Sequence, residues 1–442
     1  MSIIILGMAV ALLTDHYELT MIEAALQDGT ASKRAVFEAY FRSPANSHDG
    51  LDGLTAIPEF GLMAGSERII DAISRFAFTQ PQIAYLEGRG FLSRRTLDWL
   101  ETYRFGGDVI ISVDGDTIHP GVPVLTVKGD FAESIILETL VLSILNSEAT
   151  IATKAMQFRL AAGADATLIE MGSRRTHEEH AVDAAHAAII GGFDSTSNLE
   201  AGFRYDVPTG GTAAHAWTLA HGGPEGEAAA FRAQIEALGV GTTLLVDTFD
   251  IPSGIRLAVE VAREFGSAGP GAIRIDSGDL GVEARRARDL LDSLGAQQTR
   301  IVVSGDLDVV KVAHLHHSGA PVDAYGVGTQ LVAAQPLGFI YKLVEIENAH
   351  GQMIPVAKNS ATPGKATVGG AKTVLIAEDG TKVVVGDGVE IRPTRIRSGH
   401  VVTEPSVAEP SVTEPNVVGR FRHSENAPDL VVAKFQEGAS DD

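Results

Sequence analysis

The stretch "AIRIDSGDLGVEARRARDLLDSLGAQQTRIVVSGDLD", residues 272–308, decides the fold. "AIRI" and "RIVV" are short runs rich in β-branched residues, and each closes on a Ser-Gly-Asp turn. Between them "EARRARDLLDSLG" has helical spacing. Strand, turn, helix and strand in that order make a βα repeat. Similar strands occur in "ATLIEMG", "TTLLVDTFD" and "VDAYGVGTQL", with "IRLAVEVAREFG" as a further helix. The later copies are spaced by roughly 22–30 residues, the length of one βα unit. Every strand ends in polar or glycine residues. A parallel α/β barrel gathers such ends on one face; an open doubly wound sheet gathers them less tightly and stays open as an alternative.

Outward from this core the pattern changes. Before residue 150, "YELTMIEAAL" has helical spacing and "RAVFEAYFR" reads as a strand. "EFGLMAGSERIIDAISRF" and "SRRTLDWLETYRF" read as amphipathic helices. "DVIISVDGDTIHPGVPVLTVKGD", with its Asp-Gly and Pro-Gly turns, reads as an antiparallel meander. The run "SIILETLVLSILNSEATIATKAMQFRLAAG" predicts a long helix leading to the next domain. After residue 345, "KTVLIAE" and "TKVVVGD" predict short strands. "TEPSVAEPSVTEPNV", residues 403–417, repeats Pro and Glu in units of five and is expected to be a disordered linker or tail. The expected organisation is an α+β N-terminal domain over 1–150 and an α/β barrel over 151–345. A β-rich segment over 346–400 then packs back on the N-terminal domain, and 401–442 forms a flexible tail.

The chain has 442 residues, too many for one compact core, and an ordinary 45% hydrophobic and 21% charged composition. With no cysteine, disulfides, thiolate catalysis and zinc–thiolate sites are excluded. A formal net charge of −22 argues against nucleic acid or an anionic membrane as a partner. "MSIIILGMAVALL" is apolar, but it has no preceding Lys or Arg and no small-residue cleavage site. It is expected to pack onto the body of a cytoplasmic protein.

Three strand ends share a theme: "DSGDL" (Asp276–Leu280), "SGDLD" (Ser304–Asp308) and "GVGT" (Gly326–Thr329). Glycines let backbone N–H groups turn inward around an anion, and the helix that follows adds its positive end. Ser277, Ser304 and Thr329 add hydroxyl donors. Asp276, Asp279 and Asp306 suit sugar hydroxyls or Mg²⁺ better than phosphate. One Ser-Gly-Asp is an ordinary turn; three at successive strand ends suggest a phosphorylated sugar. "IEMGSRRTHEEH" places Arg174 and Arg175 at another strand end, able to grip carboxylate or phosphate, or else to pair with Glu178 and Glu179 along a helix. "GGFDSTSN" reads as one more strand-end loop. His177, His180 and His186 do not form a His-Glu-x-x-His arrangement and read as helix positions. "VPTGGTAAHAWTLAHGG", residues 207–223, sets His215 just past a Gly-Gly-Thr turn. That is either a structural histidine or a nucleophile in an anion pocket.

Taken in order, "LLTDHYELTM", "EMGSRR", "STSN", "GGTAAHAW", "RIDSGDL", "VVSGDLD" and "YGVGTQLV" closely resemble the nicotinate phosphoribosyltransferase family over about residues 12–375. The resemblance implies a type II phosphoribosyltransferase: an incomplete α/β barrel, an α/β domain built from both chain ends, and a homodimer with shared active sites. It implies transfer of phosphoribose from phosphoribosyl pyrophosphate to nicotinate, yielding nicotinate mononucleotide and pyrophosphate, coupled to ATP hydrolysis through a phosphohistidine, with Mg²⁺.

Carried over residue by residue, His215 is that histidine. Thr212 touches nicotinate, and Tyr17 stacks on the ring from the neighbouring subunit. Arg274 faces the carboxylate, Arg174 lies by the phosphate or ring, and Asp276 holds the ribose region with Ser277 and Gly278 beside it. Ser304, Gly305, Asp306, Gly326, Gly328 and Thr329 hold ribose and 5′-phosphate. Met171 stands where many relatives carry phenylalanine, and its thioether still contacts an aromatic ring favourably. The late stretch keeps Lys358, Ser360, Lys365 and Lys372 but lacks an expected arginine. The sister reaction on nicotinamide calls for an acidic group near the ring substituent, where "DSTSN" offers Ser197 and Asn198. Quinolinate phosphoribosyltransferase matches less well, since it has no role for the histidine loop. A barrel that binds a phosphorylated ligand without turnover is the alternative from another class.

Overall fold

The computed structural model describes residues 10–42, 60–360 and 367–376, and the strands Lys382–Gly386, Arg395–Arg397, His400–Val402, Val417–Phe421 and Leu430–Ala433. The chain divides into two units. One draws on 1–47, 59–149 and 336–442; the other has its described part over 150–335.

The first unit holds a seven-stranded sheet in the order Met353–Pro355, Phe339–Glu347, Arg34–Phe41, Leu125–Asp130, Asp108–Ile111, Arg395–Arg397, His400–Val402. All its pairings are antiparallel. Strands from both ends of the chain therefore share one sheet. Arg34–Phe41 is buried at five consecutive positions rather than at alternate ones, because it lies in the middle of the sheet with both faces covered. Phe37 stacks on Tyr341 at 5.0 Å, and the Tyr341 hydroxyl donates to the Ser134 carbonyl at 3.0 Å. The helix His16–Asp28 starts with a capping box in which Glu18 reaches back to the Asp15 N–H.

Two expectations are corrected here. The run 59–76 is not one helix. Gly61–Leu62 is a strand, and the helix begins at Ser66, whose N–H donates to Asp114 at 2.8 Å. The supposed meander also splits: Asp108–Ile111 and Leu125–Asp130 pair with each other, while Thr117–Ile118 pairs with Gly61–Leu62. The periodicity of a short run does not say which distant strand it will meet. Ala11 is fully buried, whereas residues 1–9 of the apolar start lie outside the described residues. The Pro/Glu repeat up to residue 416 also lies outside them. The stretch read as a flexible tail contains Val417–Phe421 and Leu430–Ala433, which pair antiparallel. Among the described residues, the helical run Phe131–Ala162 is long and apolar enough to cross a membrane by composition, and most of its apolar window is buried inside the protein.

The second unit is built on a six-stranded sheet, ordered Ser195–Thr196, Thr167–Glu170, Ala324–Val327, Arg300–Val303, Ala272–Ile275, Thr243–Leu245. Every pairing is parallel. Counted along the chain, consecutive strands are neighbours except the second and third, Ser195–Thr196 and Thr243–Leu245. This is a curled half-barrel opened along one seam, as an incomplete α/β barrel requires. The helices Ile251–Glu264 and Leu280–Ser293 bury Ala258, Val259, Ala262, Ala284, Ala287 and Leu291. Their apolar stripes cover the outer face of the strands. The segment crossing from one lip of the seam to the other, residues 197–242, carries His215.

Candidate active site

The carboxyl ends of the strands meet around Arg274. This residue sits inside the strand Ala272–Ile275, and only 11% of its side chain is exposed. Its Nε donates to Ser304 Oγ at 2.8 Å, its Nη1 to Thr212 Oγ1 at 3.0 Å and its Nη2 to Asp276 Oδ1 at 3.3 Å. Ser304 Oγ also donates to Asp276 Oδ1. One guanidinium therefore joins the ends of two strands to the histidine loop. Two of its five N–H donors are not used in these bonds.

The histidine loop is fastened at three points. Beside Ser195–Thr196, Thr209 forms a parallel bridge with Thr196: Thr196 N–H donates to Pro208 O at 3.0 Å and Gly210 N–H to Thr196 O at 2.9 Å. In the middle Thr212 meets Arg274. On the far side His215, first residue of the short helix His215–Leu219, sets its Nδ1 3.2 Å from Thr248 Oγ1, just beyond Thr243–Leu245. Its Nε2 lies 4.0 Å from Asp276 Oδ2. The imidazole is 42% exposed, so a ligand can reach it.

Asp247, at the end of that same strand, accepts from Asp276 N–H and Ser277 Oγ through Oδ2, both at 2.8 Å. Its Oδ1 is buried with no hydrogen-bond partner among the described residues. Nearby Glu227 is also buried, and its Oε1 has no partner among the described residues. Burial, together with the charges of Asp250 and Asp247, pushes its carboxyl up to about 7.

The Ser304–Asp308 turn has two consecutive residues in the left-handed region, Gly305 at φ 103° and Asp306 at φ 46°. A Cβ on Gly305 would lie 2.4 Å from the Asp276 carbonyl oxygen, so only glycine fits this close approach. Asp306, a non-glycine held there, belongs to the strained class of residues found at ligand loops. Gly326 packs against Met171, whose Sδ would lie 2.8 Å from an added Cβ. Gly328 and Thr329 open the short helix Thr329–Val332.

The expected residues divide as follows. Thr212, His215, Arg274, Asp276, Ser277 and Ser304 form one bonded cluster; Gly305 packs on Asp276, and Gly278 follows Ser277 on the same turn. Asp306, Gly326, Gly328, Thr329, Met171 and Ser197 stand at neighbouring strand ends. Met171 N–H donates to Val327 O at 2.7 Å, and Ser197 N–H to Glu170 O at 2.8 Å. Arg174 lies exposed in the turn Ser173–Arg175. Tyr17 belongs to the first unit, on the helix His16–Asp28. It is 44% exposed, and burial of its hydroxyl beside Glu138 and Glu18 raises its pKa to about 12, so it is a neutral phenol at neutral pH.

Some side chains turn out to have structural partners. Asp279 and Asp308 cap the helices Leu280–Ser293 and Val309–His317, so Asp279 Oδ1 is committed to Gly281 and Val282. His177 caps Glu178–Ile190, and His186 stacks on Tyr205 at 3.9 Å. Lys372 pairs with the buried Glu38 at 2.7 Å in the first unit, and Lys365 lies outside the described residues. Sequence reasoning missed Glu170, Asp247 and Thr248. The polar ending of "TTLLVDTFD" was the signal for the last two.

An open α/β barrel with glycine turns at its strand ends beside an exposed imidazole has the form of a protein suited to phosphorylated sugars. Two family models match the chain: the N-terminal domain of nicotinate phosphoribosyltransferase over residues 12–146, and the nicotinate phosphoribosyltransferase family over 166–383. Nicotinate phosphoribosyltransferase pncB1 of Mycobacterium tuberculosis is 47% identical over 407 residues, covering 90% of this chain and 85% of that protein. The nicotinate phosphoribosyltransferase of Bacillus subtilis is 36% identical over 372 residues, covering 83% and 73%. Among solved structures, nicotinate-nucleotide pyrophosphorylase from Pyrococcus furiosus aligns with a TM-score of 0.70 at 23% identity, covering 91% of this chain and 94% of that one. Human nicotinic acid phosphoribosyltransferase aligns at 0.68, also at 23% identity, covering 88% and 87%. These two share the fold. The chain belongs to the nicotinate phosphoribosyltransferase family.

Proposed function

We propose that the protein joins nicotinate to 5-phosphoribosyl 1-pyrophosphate, forming nicotinate mononucleotide and pyrophosphate in NAD salvage in the cytoplasm. The observation that carries this reading is the single cluster of Arg274, Thr212, Asp276 and His215 at the barrel rim, in a chain 47% identical to a nicotinate phosphoribosyltransferase. The ring nitrogen of nicotinate attacks ribose C1 as pyrophosphate leaves through a cation-like sugar. The protein's task is to align both partners and to balance charge. Arg274 faces the nicotinate carboxylate with its unused N–H donors, and Thr212 adds a hydroxyl contact. Met171 forms one side of the ring site, and Tyr17 from a second copy of the chain stacks on the other. The turns at Ser304–Asp306 and Gly326–Thr329 take the ribose 5-phosphate.

ATP hydrolysis is coupled through His215. A Nδ1–H donating to Thr248 leaves the Nε2 lone pair free to take the γ-phosphoryl group, with the Asp276 carboxylate near enough to favour the charged phospho-imidazole. Among the described residues no three metal-ligating side chains cluster. The site suits Mg²⁺ arriving with the phosphates of its co-substrates, which asks one or two carboxylates of the protein. Asp247 Oδ1, unpartnered among the described residues, and Asp276 Oδ2, beside His215, are the oxygens that would fit. Bound there, the metal would supply positive charge to neutralise the pyrophosphate.

The test is product formation from nicotinate and from nicotinamide, each with and without ATP. Nicotinate mononucleotide formed faster with ATP supports the reading. Turnover of nicotinamide alone points to the sister enzyme, and binding of phosphoribosyl pyrophosphate with no turnover points to a ligand-binding barrel.

A further inference from the structure

Glu170 is a buried acid that the reaction above does not use. It ends the strand Thr167–Glu170, is 1% exposed, and has no ion-pair partner among the described residues. An acid buried without a cation is costly, so what it does there needs an account. Its two carboxyl oxygens serve two different loops. Oε1 accepts from the Gly172 N–H and Oε2 from the Thr196 hydroxyl. Its own carbonyl accepts from Ser197 N–H at 2.8 Å. Thr196 Oγ1 passes the chain on by accepting from Asn198 N–H at 2.9 Å, and Asn198 Nδ2 returns to Ser173 Oγ at 3.0 Å.

The bonds enclose two positions. Met171 lies between Glu170 and Gly172, and Ser197 between Thr196 and Asn198. We propose that Glu170 is a positioning residue: it fixes the distance between Met171, on one side of the pyridine ring, and Ser197, beside the ring substituent, and so sets nicotinate affinity. The inference rests on the nicotinate reading of the site. The residue type follows from the donors. A backbone N–H can only donate, and the Thr196 hydroxyl, already accepting from Asn198, has its proton to give. Two acceptors pointing opposite ways are what a carboxylate offers. Glutamine offers one acceptor and one donor, so it keeps the Gly172 bond and disturbs the Thr196 one. Alanine leaves both donors unpaired.

The experiment is steady-state kinetics with nicotinate and phosphoribosyl pyrophosphate varied separately, for wild type and for Glu170→Ala, Glu170→Gln and Thr196→Val. The nicotinate KM is expected to rise about tenfold or more in Glu170→Ala and Thr196→Val, and less in Glu170→Gln. The phosphoribosyl pyrophosphate KM should stay within about twofold of wild type. An unchanged nicotinate KM, or an equal rise in both KM values, overturns the inference. If Glu170→Ala does not fold, the isosteric Thr196→Val and Glu170→Gln decide the matter. A wild-type protein that makes no nicotinate mononucleotide overturns the functional reading and this inference together; an active wild type whose variants keep its nicotinate KM overturns this inference alone.

Discussion

Arg274 Nη1 donates to the Thr212 hydroxyl at 3.0 Å, tying a strand of the barrel to the loop that carries His215. Ser304 and Asp276 hold the same guanidinium from the other side. A charged group held this firmly has little entropy left to lose when a carboxylate arrives. Arg274→Ala is expected to raise the nicotinate KM by about 1.5–3 kcal/mol of charge-assisted bonding, roughly 10- to 150-fold. Arg274→Lys should recover little, since an ammonium cannot hold three partners in one plane. Initial-rate measurements at varied nicotinate check this, and a wild-type KM in the alanine variant removes the assignment.

Incubation with γ-labelled ATP should leave an acid-labile, base-stable label on the protein that is absent in His215→Ala. Thr248→Val should weaken the labelling without abolishing it, because it frees the Nδ1 side of the ring while leaving Nε2 in place. Full labelling of His215→Ala would place the phosphoryl acceptor elsewhere.

The two glycine contacts separate by what lies opposite them. Gly305→Ala drives a Cβ into the Asp276 backbone carbonyl at a left-handed φ, and about 1–3 kcal/mol of stability should be lost along with affinity for phosphoribosyl pyrophosphate. Gly326→Ala meets the flexible thioether of Met171, which can swing away. Its melting temperature should fall less, while its nicotinate KM rises. Thermal denaturation and kinetics on both variants distinguish the two, and an equal loss of stability contradicts the argument.

Glu227 imposes a pH dependence. Its carboxyl titrates near 4.5 when the chain is unfolded and near 7 when folded. Between those values the folded state holds more protons, so this group's contribution to stability falls as pH rises and levels off above 7. Glu227→Gln should therefore be more stable than wild type by about 1–3 kcal/mol at about pH 8, with the gain shrinking towards pH 5. Urea denaturation at the two pH values measures it. A glutamine variant less stable at the alkaline pH would mean that Glu227 has a cationic or donor partner.

The parallel sheet was readable because five of its strands are short, largely apolar runs closed by polar or glycine turns, and the rule that such ends converge placed Arg274, Asp276 and Ser304 together. The sixth strand, Ser195–Thr196, is two residues long and leaves no periodicity to detect; it read only as a loop. Nothing local marks the missing contact between the second and third strands, since strand order is a tertiary choice. Asp247 and Glu170 escaped notice for a related reason. Their partners lie 29 and 26 residues away, at Asp276 and Thr196, and no spacing within one segment reveals such bonds. The split of 108–130 between two sheets is the same failure in the first unit.

A closed barrel carries strain evenly around an unbroken ring of inter-strand hydrogen bonds, but this one has a clasp. Across the gap between its two lips the chain is fastened by a bridge at Thr209, a guanidinium at Thr212 and an imidazole at His215. Breathing of the barrel must concentrate where side chains, not strands, do the fastening. The imidazole proposed to take the phosphoryl is thus mounted on the most compliant sector of the rim, and amides of 207–215 should exchange with solvent sooner than those of the strands on either side.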